Sequence, residues 1–382
     1  MQGYFEGETS GDNRRRRREL RRRRKRRRAI KIILTRWVPF FVVCVIVVVM
    51  LVSGVKAVAK ALSGDKEAQV KEEAATVQEN ETVSLDDIVS ENTISEDAVS
   101  ENIAEPEPLK KLEAVDDGTA GAVPGDVVSE HAVLISLSEN KVIAGRDYNS
   151  VINPASMTKV LTVLVAAEKM QENGDDLDTQ FTMTEEIENF SYVHECSNVG
   201  FSVGEVITMR DLFYGTILPS GGDAAYGLAT YAGGSMDGFA ELMNEKLREI
   251  GCSENAHFTN SIGLYDENHH CTTMDMAKIM YCAMQNDLCR EVLSAHKYTT
   301  SKTPEHPDGI EVSNWFLRRI EDKDTNGIVV AAKTGFVVQS KNCAVSYAED
   351  NYGNPYICVT GGSSSSWRCI YDHVSIYKKY LA

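Results

Sequence analysis

Three short stretches of this sequence hold side chains whose types and spacing suit nucleophilic chemistry on a carbonyl. The first is Asn153-Pro154-Ala155-Ser156-Met157-Thr158-Lys159, in which a serine precedes a lysine by three residues. A proline in the first turn fits a helix N-terminus. Ser156 and Lys159 then share one face, and Ser156 sits where free backbone N–H groups point outward. A lysine held among apolar neighbours has a depressed pKa and can take the proton of a hydroxyl. Spacing alone is weak, because Ser-x-x-Lys also begins at Ser53, Ser63, Ser138, Ser294 and Ser375, but only Ser156 opens a long apolar run. The second stretch is the loop Pro219-Ser220-Gly221-Gly222-Asp223. The third, Lys333-Thr334-Gly335, ends an apolar strand and occurs once. A cation and a hydroxyl on a strand edge can hold a carboxylate, and a glycine there lets backbone approach a ligand closely.

The elements that must position these residues follow from hydrophobic patterning. From Pro154 to Met170 the chain carries Val160, Leu161, Val163, Leu164, Val165, Ala166 and Ala167, apolar nearly all round, which predicts a buried helix. Val133–Leu137 and Val142–Gly145 read as a strand hairpin. Helical patterns recur at 206–217, 223–232, 236–250 and 273–285. Strands are expected at Ile328–Ala332, Cys343–Ala348 and Tyr356–Gly361, with a turn at Glu349–Pro355 and a final helix at Tyr371–Leu381. Strands, then helices, then strands again predict an α+β fold, with one antiparallel sheet built from both chain ends around a helical cluster.

Taken together, the stretches resemble the penicillin-recognising serine enzymes, DD-peptidases and serine β-lactamases, which carry Ser-x-x-Lys, Ser-x-Asn and Lys-Thr-Gly in this order. The surrounding text is closer to the D-alanyl-D-alanine carboxypeptidases of the low-molecular-mass penicillin-binding type. It looks like theirs at Pro154–Lys159, at Thr259-Asn260-Ser261-Ile262-Gly263-Leu264, at Cys271-Thr272-Thr273-Met274-Asp275-Met276-Ala277, at Lys333–Phe336 and at Cys343-Ala344-Val345-Ser346. The resemblance covers about 130–382. It implies that Ser156 attacks the D-Ala-D-Ala carbonyl, Lys159 is the base and Ser220 relays a proton to the leaving D-alanine. Lys333 and Thr334 bind the terminal carboxylate beside Gly335, and the N–H groups of Ser156 and Phe336 form an oxyanion hole. It also puts Arg368 where relatives often place a second carboxylate-binding cation; a solvated helix-start arginine is the alternative. The implied partners are peptidoglycan stem peptides, with β-lactams as inhibitors, and no cofactor or metal is expected.

One residue departs from the pattern: Gly222 stands where the family has asparagine. Either a water or another side chain substitutes, or the protein binds without efficient turnover, as a wall-sensing module. If catalysis is merely degenerate, Gly222→Asn raises turnover at unchanged acylation. A β-lactamase would need a Glu-x-x-Leu-Asn segment between the second and third stretches, which the chain lacks; an endopeptidase would share the same residues.

The rest of the chain reads as an address and a tether. With 382 residues, 43% hydrophobic and 25% charged, it is neither collagenous, nor wholly disordered, nor polytopic. Its net charge of -16 divides into +11 over residues 1–36 and -27 beyond, and so acidic a body is a poor binder of nucleic acid. The basic block Arg14–Arg28 precedes Trp37–Val55, nineteen uncharged residues that as a helix would span roughly 28 Å, enough to cross a membrane. Basic flanks stay cytoplasmic, so the globular part at 126–382 is expected outside. An uncleaved anchor is favoured; cleavage at Ala57-Val58-Ala59 or Ala59-Lys60-Ala61 is the alternative. Residues 56–125, with 17 Asp/Glu and 6 Lys, read as a disordered linker. His194-Glu195-Cys196 and His269-His270-Cys271 lack the spacing of a zinc site. Eight cysteines lie outside the span, and Cys343 and Cys358 either face each other across a hairpin or are two buried thiols. Deleting most of 56–125 is expected to spare activity on a soluble peptide while impairing release of D-alanine from intact wall, and equal wall activity would remove the spacer role.

Overall fold

The computed structural model describes residues 109–381. The basic block, the expected span at 37–55 and most of the linker lie outside these residues. Among the described residues no helix is long and apolar enough to cross a membrane.

The described residues open with β1 (Gly121–Ala122), β2 (His131–Ser136) and β3 (Lys141–Arg146). A 3-10 turn, Ala155–Thr158, leads into α1 (Lys159–Asn173). There follow β4 (Gln180–Thr182), α2 (Glu185–Val193), β5 (Val206–Thr208), α3 (Met209–Ile217), α4 (Gly222–Gly233), α5 (Met236–Glu249), α6 (Thr273–Ala283) and α7 (Asp287–Ser294). Then come β6 (Lys297–Thr299), β7 (Glu311–Ser313), α8 (Leu317–Ile320), β8 (Gly327–Val337), β9 (Lys341–Asp350), β10 (Pro355–Ser363) and α9 (Ser366–Tyr380). The main sheet has the order β1-β3-β2-β10-β9-β8, antiparallel except for β1 beside β3. Strands from both ends therefore meet at β2 and β10, as the α+β reading expects.

Helix α1 is the centre of the molecule: every residue from Lys159 to Ala167 is buried. It packs against α3, α4, α5, α6 and α7, and this cluster shares one apolar core with one face of the sheet through Val133, Val345, Ile357 and Val359. The opposite face, with Leu134 and Cys358, is covered by α9 through Ile376 and Tyr377. Side-chain caps start the helices: Thr208 and Thr272 form capping boxes with Asp211 and Asp275, and Ser365 caps α9.

Two expectations need correction, and one pair of alternatives is decided. The fold begins before 126: Leu112 and Val123 are buried, Val115 bridges to the β3 backbone, and Lys110 exchanges hydrogen bonds with Gln285. These few apolar anchors are scattered among acidic residues, which hid them from a compositional reading, so the linker deletion must stop at 108. Helix α9 starts five residues early because the Ser365 cap, not the apolar pattern, sets its N-terminus. Cys343 lies opposite Gly335 and faces the helical core, whereas Cys358 lies opposite Ser346 on the other face of the sheet. They are separate buried free thiols.

Buried Asp372 of α9 ties the segment before β2 to the end of β10. Its carboxylate accepts from Val128 N, Ser129 N, Ser129 Oγ and Ser363 Oγ at 2.6–3.2 Å. Replacing it leaves several buried donors unmet, so Asp372→Ala is expected to cost about 3 kcal/mol in denaturant unfolding. A loss below about 1 kcal/mol would mean water replaces it there.

Candidate functional site

The strand edge, the 3-10 turn and two loops converge on a cavity of about 710 Å³. Ser156, Lys159, Ser220, Thr334, Gly335 and Phe336 all line it. Ser156 lies on the 3-10 turn just ahead of α1, so it is lifted clear of the buried helix while Lys159 opens it. Ala155 takes φ +47° and Ser220 takes φ +62°, left-handed conformations that cost a non-glycine residue of order 1 kcal/mol or more. Asn153 supports the first of these, accepting from Ala155 N and donating to His269 O.

Lys159 Nζ donates to Ser156 Oγ at 3.2 Å and to Ile262 O at 2.6 Å. Burial lowers the Lys159 pKa to about 8. Lys333 Nζ donates to Ser220 Oγ and to Thr334 O, both at 2.9 Å. Its pKa is likewise lowered well below the usual lysine value, by burial and by the neighbouring Lys159. Neither ammonium has a carboxylate within ion-pair distance among the described residues; both rest on backbone carbonyls and hydroxyls.

The expected strand Ile328–Ala332 continues to Val337, so Lys333-Thr334-Gly335 lies within β8, the outermost strand of the sheet. A Cβ on Gly335 would lie 2.8 Å from Pro154 O and 3.0 Å from Ser156 N, so glycine is what lets the strand pass over the serine turn. The unpaired edge of such a strand presents backbone N–H and C=O groups to whatever lies in the cleft.

Arg368 does not join them. It heads into an ion pair with Asp372 at 3.2 Å, donates to Asp126 O, and is absent from the cavity lining. A cation at the start of a capped helix, beside a buried aspartate, is committed to structure; the carboxylate-binding expectation for Arg368 is not met.

Other residues matter to which the sequence assigned no place in the site. Asn260 Oδ1 accepts from Ile262 N, Gly263 N and Leu264 N, folding the 260–264 loop so that the Ile262 carbonyl faces Lys159. Gly263, at φ +81°, abuts the Ala155 backbone. The Asn-x-x-Gly-Leu text was the available signal, and its role is to seat the lysine. Trp315 and Cys196 also line the cavity. Cys196 belongs to a loop with no periodicity, and only tertiary contact brings it to the site. His269 is buried, with Nε2 2.8 Å from Thr158 Oγ1 and Nδ1 accepting from Thr259 N.

Comparison with known proteins agrees with this geometry. The D-alanyl-D-alanine carboxypeptidase DacF of Bacillus subtilis is 26% identical over 251 residues, 63% of this chain and 59% of that protein. The D-alanyl-D-alanine carboxypeptidase of Streptomyces sp. strain K15 is 26% identical over 246 residues, 60% of this chain and 81% of that protein. The solved Streptomyces K15 DD-transpeptidase superposes with a TM-score of 0.60 at 24% identity over 68% of this chain and 99% of its own, which supports the fold. The D-alanyl-D-alanine carboxypeptidase structure from Mycobacterium tuberculosis gives 0.58 at 25% identity, covering 69% of this chain and 96% of its own. The peptidase S11 profile, D-alanyl-D-alanine carboxypeptidase, matches residues 118–364, more than half of the sequence and nearly the whole described fold, and the chain belongs to that family.

Proposed function

We propose that this protein is a serine-type D-alanyl-D-alanine carboxypeptidase that removes the terminal D-alanine from peptidoglycan stem peptides. The observation that carries the reading is the Lys159 ammonium, wholly buried, lowered to about 8 and bonded to Ser156 Oγ. A lysine so placed is neutral often enough near neutral pH to accept the hydroxyl proton.

In this mechanism Ser156 Oγ attacks the carbonyl of the penultimate residue as its proton passes to Lys159 Nζ. The Ser156 and Phe336 N–H groups hold the oxyanion, where loss of one donor typically costs about 3–4 kcal/mol of barrier. Ser220, bonded to Lys333, relays the proton taken up by Lys159 to the departing amine, the C–N bond breaks and D-alanine leaves, so Lys159 is neutral again. The substrate carboxylate lies against Lys333 and Thr334. Water then cleaves the Ser156 ester: Lys159 takes a proton from the water as its oxygen bonds the acyl carbon, and passes that proton to Ser156 Oγ as the ester C–O bond breaks. Penicillins acylate the same serine and, lacking a departing amine, block the water. Residues 37–55 serve as the membrane anchor, with the basic block inside and the folded domain at the wall. A non-catalytic penicillin binder is the second reading, favoured by Gly222.

Benzylpenicillin is expected to add once to the purified full chain by intact mass, and Ser156→Ala to abolish the adduct. D-alanine release from a pentapeptide then separates a carboxypeptidase from a binder, and product formed on an added amine would mark a transpeptidase. An adduct that survives Ser156→Ala removes the assignment. Since Lys159 must be neutral to act, the acylation rate is expected to rise with pH through about 8 and to flatten above it. A rate already flat from pH 6 would exclude Lys159 as the base.

A further inference from the structure

Gly222 is the one position at which the three stretches break the family pattern, and the structure gives it a physical reason. A Cβ built on Gly222 would lie 2.7 Å from Cys196 Cβ, 3.1 Å from Cys196 Sγ and 3.4 Å from Ser197 O. The space into which a side chain at 222 would grow is occupied by another side chain, from a different part of the chain.

That arrangement is firmly held. Gly222 N donates to Ser197 O at 2.6 Å, and the Asp223 carboxylate accepts from Val199 N and Gly200 N, each at 2.9 Å. Cys196 N donates to Ser191 O at 3.0 Å, fixing the thiol at the end of α2. The loop 196–200 is thus fastened to the N-terminus of α4 by three hydrogen bonds, one between backbones and two to the Asp223 carboxylate. It cannot withdraw to admit a larger residue without breaking them. The thiol is free, half-buried and lines the same cavity as Ser156, Lys159 and Ser220.

We propose that Cys196 is a positioning residue that supplies from the 196–200 loop the polar side chain Gly222 lacks, flanking Lys159 and keeping its amine in line with Ser156. This rests on the reading of Ser156 and Lys159 as nucleophile and base. A thiol is suited to the task because it is polar yet stays neutral there: burial pushes its pKa up, so it adds no negative charge that would hold Lys159 protonated. The other titratable or charged groups around Lys159 are Asp223 of α4, Lys333 of β8, Cys343 of β9, His269 beneath the serine turn, and His194 and Glu195 at the cavity rim.

The test measures benzylpenicillin acylation of the full chain across pH, together with thermal unfolding. Cys196→Ala, which removes only the thiol, is expected to slow acylation about tenfold, with Cys196→Ser recovering to within about threefold. Cys196→Asp is expected to move the acylation limb upward by about one pH unit or more, because a carboxylate beside Lys159 favours its charged form. A purely packing role would leave that limb in place. Gly222→Asn is expected to slow acylation and lower the melting temperature, and Cys196→Gly added to it to restore both by clearing the space. The proposal is overturned if Cys196→Ala acylates at the wild-type rate with an unmoved limb, or if Gly222→Asn alone acylates as fast as wild type. Should wild type form no Ser156 adduct, the functional reading fails by itself. Melting temperatures of Gly222→Asn with and without Cys196→Gly still decide whether the thiol fills the place of a side chain at 222.

Discussion

The rest of the structure answers to one electrostatic constraint: two lysine side chains are buried next to each other with no acid in contact with either. Moving an ammonium out of water is unfavourable, and a second like charge nearby adds to the cost. For Lys159, a fall from 10.5 to about 8 corresponds to about 3 kcal/mol favouring the neutral form. That cost is present in full below about pH 8 and is relieved as pH rises toward the unfolded value, so the fold works against its own site at neutral pH. A direct carboxylate partner would remove the penalty, and with it the neutral amine that can accept a proton at neutral pH. What compensates is backbone: the Ile262 and Thr334 carbonyls each take one N–H of a lysine.

Those carbonyls explain much of the surrounding architecture. Ile262 O is aimed by the Asn260 nest, and the nest is held between α1 and α4 by Thr162 to Ser261 O and Ser261 to Ala225 O. Thr334 O belongs to a long edge strand, kept in place by ten register pairs with β9 and brought against the serine turn by the absence of a side chain at 335. The sheet joins its early and late strands where β2 pairs with β10, and Asp372 is bonded to the segments flanking both. Rigidity at the cavity is therefore distributed over segments far apart in the chain, and the left-handed Ala155 and Ser220 are tolerated because so much structure specifies them.

How much of this the sequence disclosed follows from the kind of signal each feature leaves. Helix α1 was legible because continuous burial leaves continuous apolar text, and β2, β3, β9 and β10 because they lie in apolar runs bounded by turn residues. Ser156, Lys159, Ser220, Lys333 and Thr334 were legible through spacing and resemblance, and the structure brings all five to one cavity or its wall. What stayed hidden depends on contact. Short α2, α7 and the two-stranded ribbons have too few residues for a period to emerge. The packed segment 109–125 carries its few apolar anchors in acidic text. Arg368 was assigned by place in the sequence, but a buried aspartate one helical turn away captures it. Cys343 and Cys358 flank their turn symmetrically, yet the two-residue alternation of a strand turns them to opposite faces.

The overlap between a side chain at 222 and that of Cys196 also governs how this site can change over generations. With cysteine at 196, a first step to asparagine at 222 meets an occupied space; with glycine at 222, a first step away from cysteine empties it. The two positions therefore constrain each other. The route between this arrangement and the one with asparagine passes through an intermediate that is either overfilled or hollow. The barrier is steric and sits at a single helix N-terminus, so reading one position without the other misjudges both.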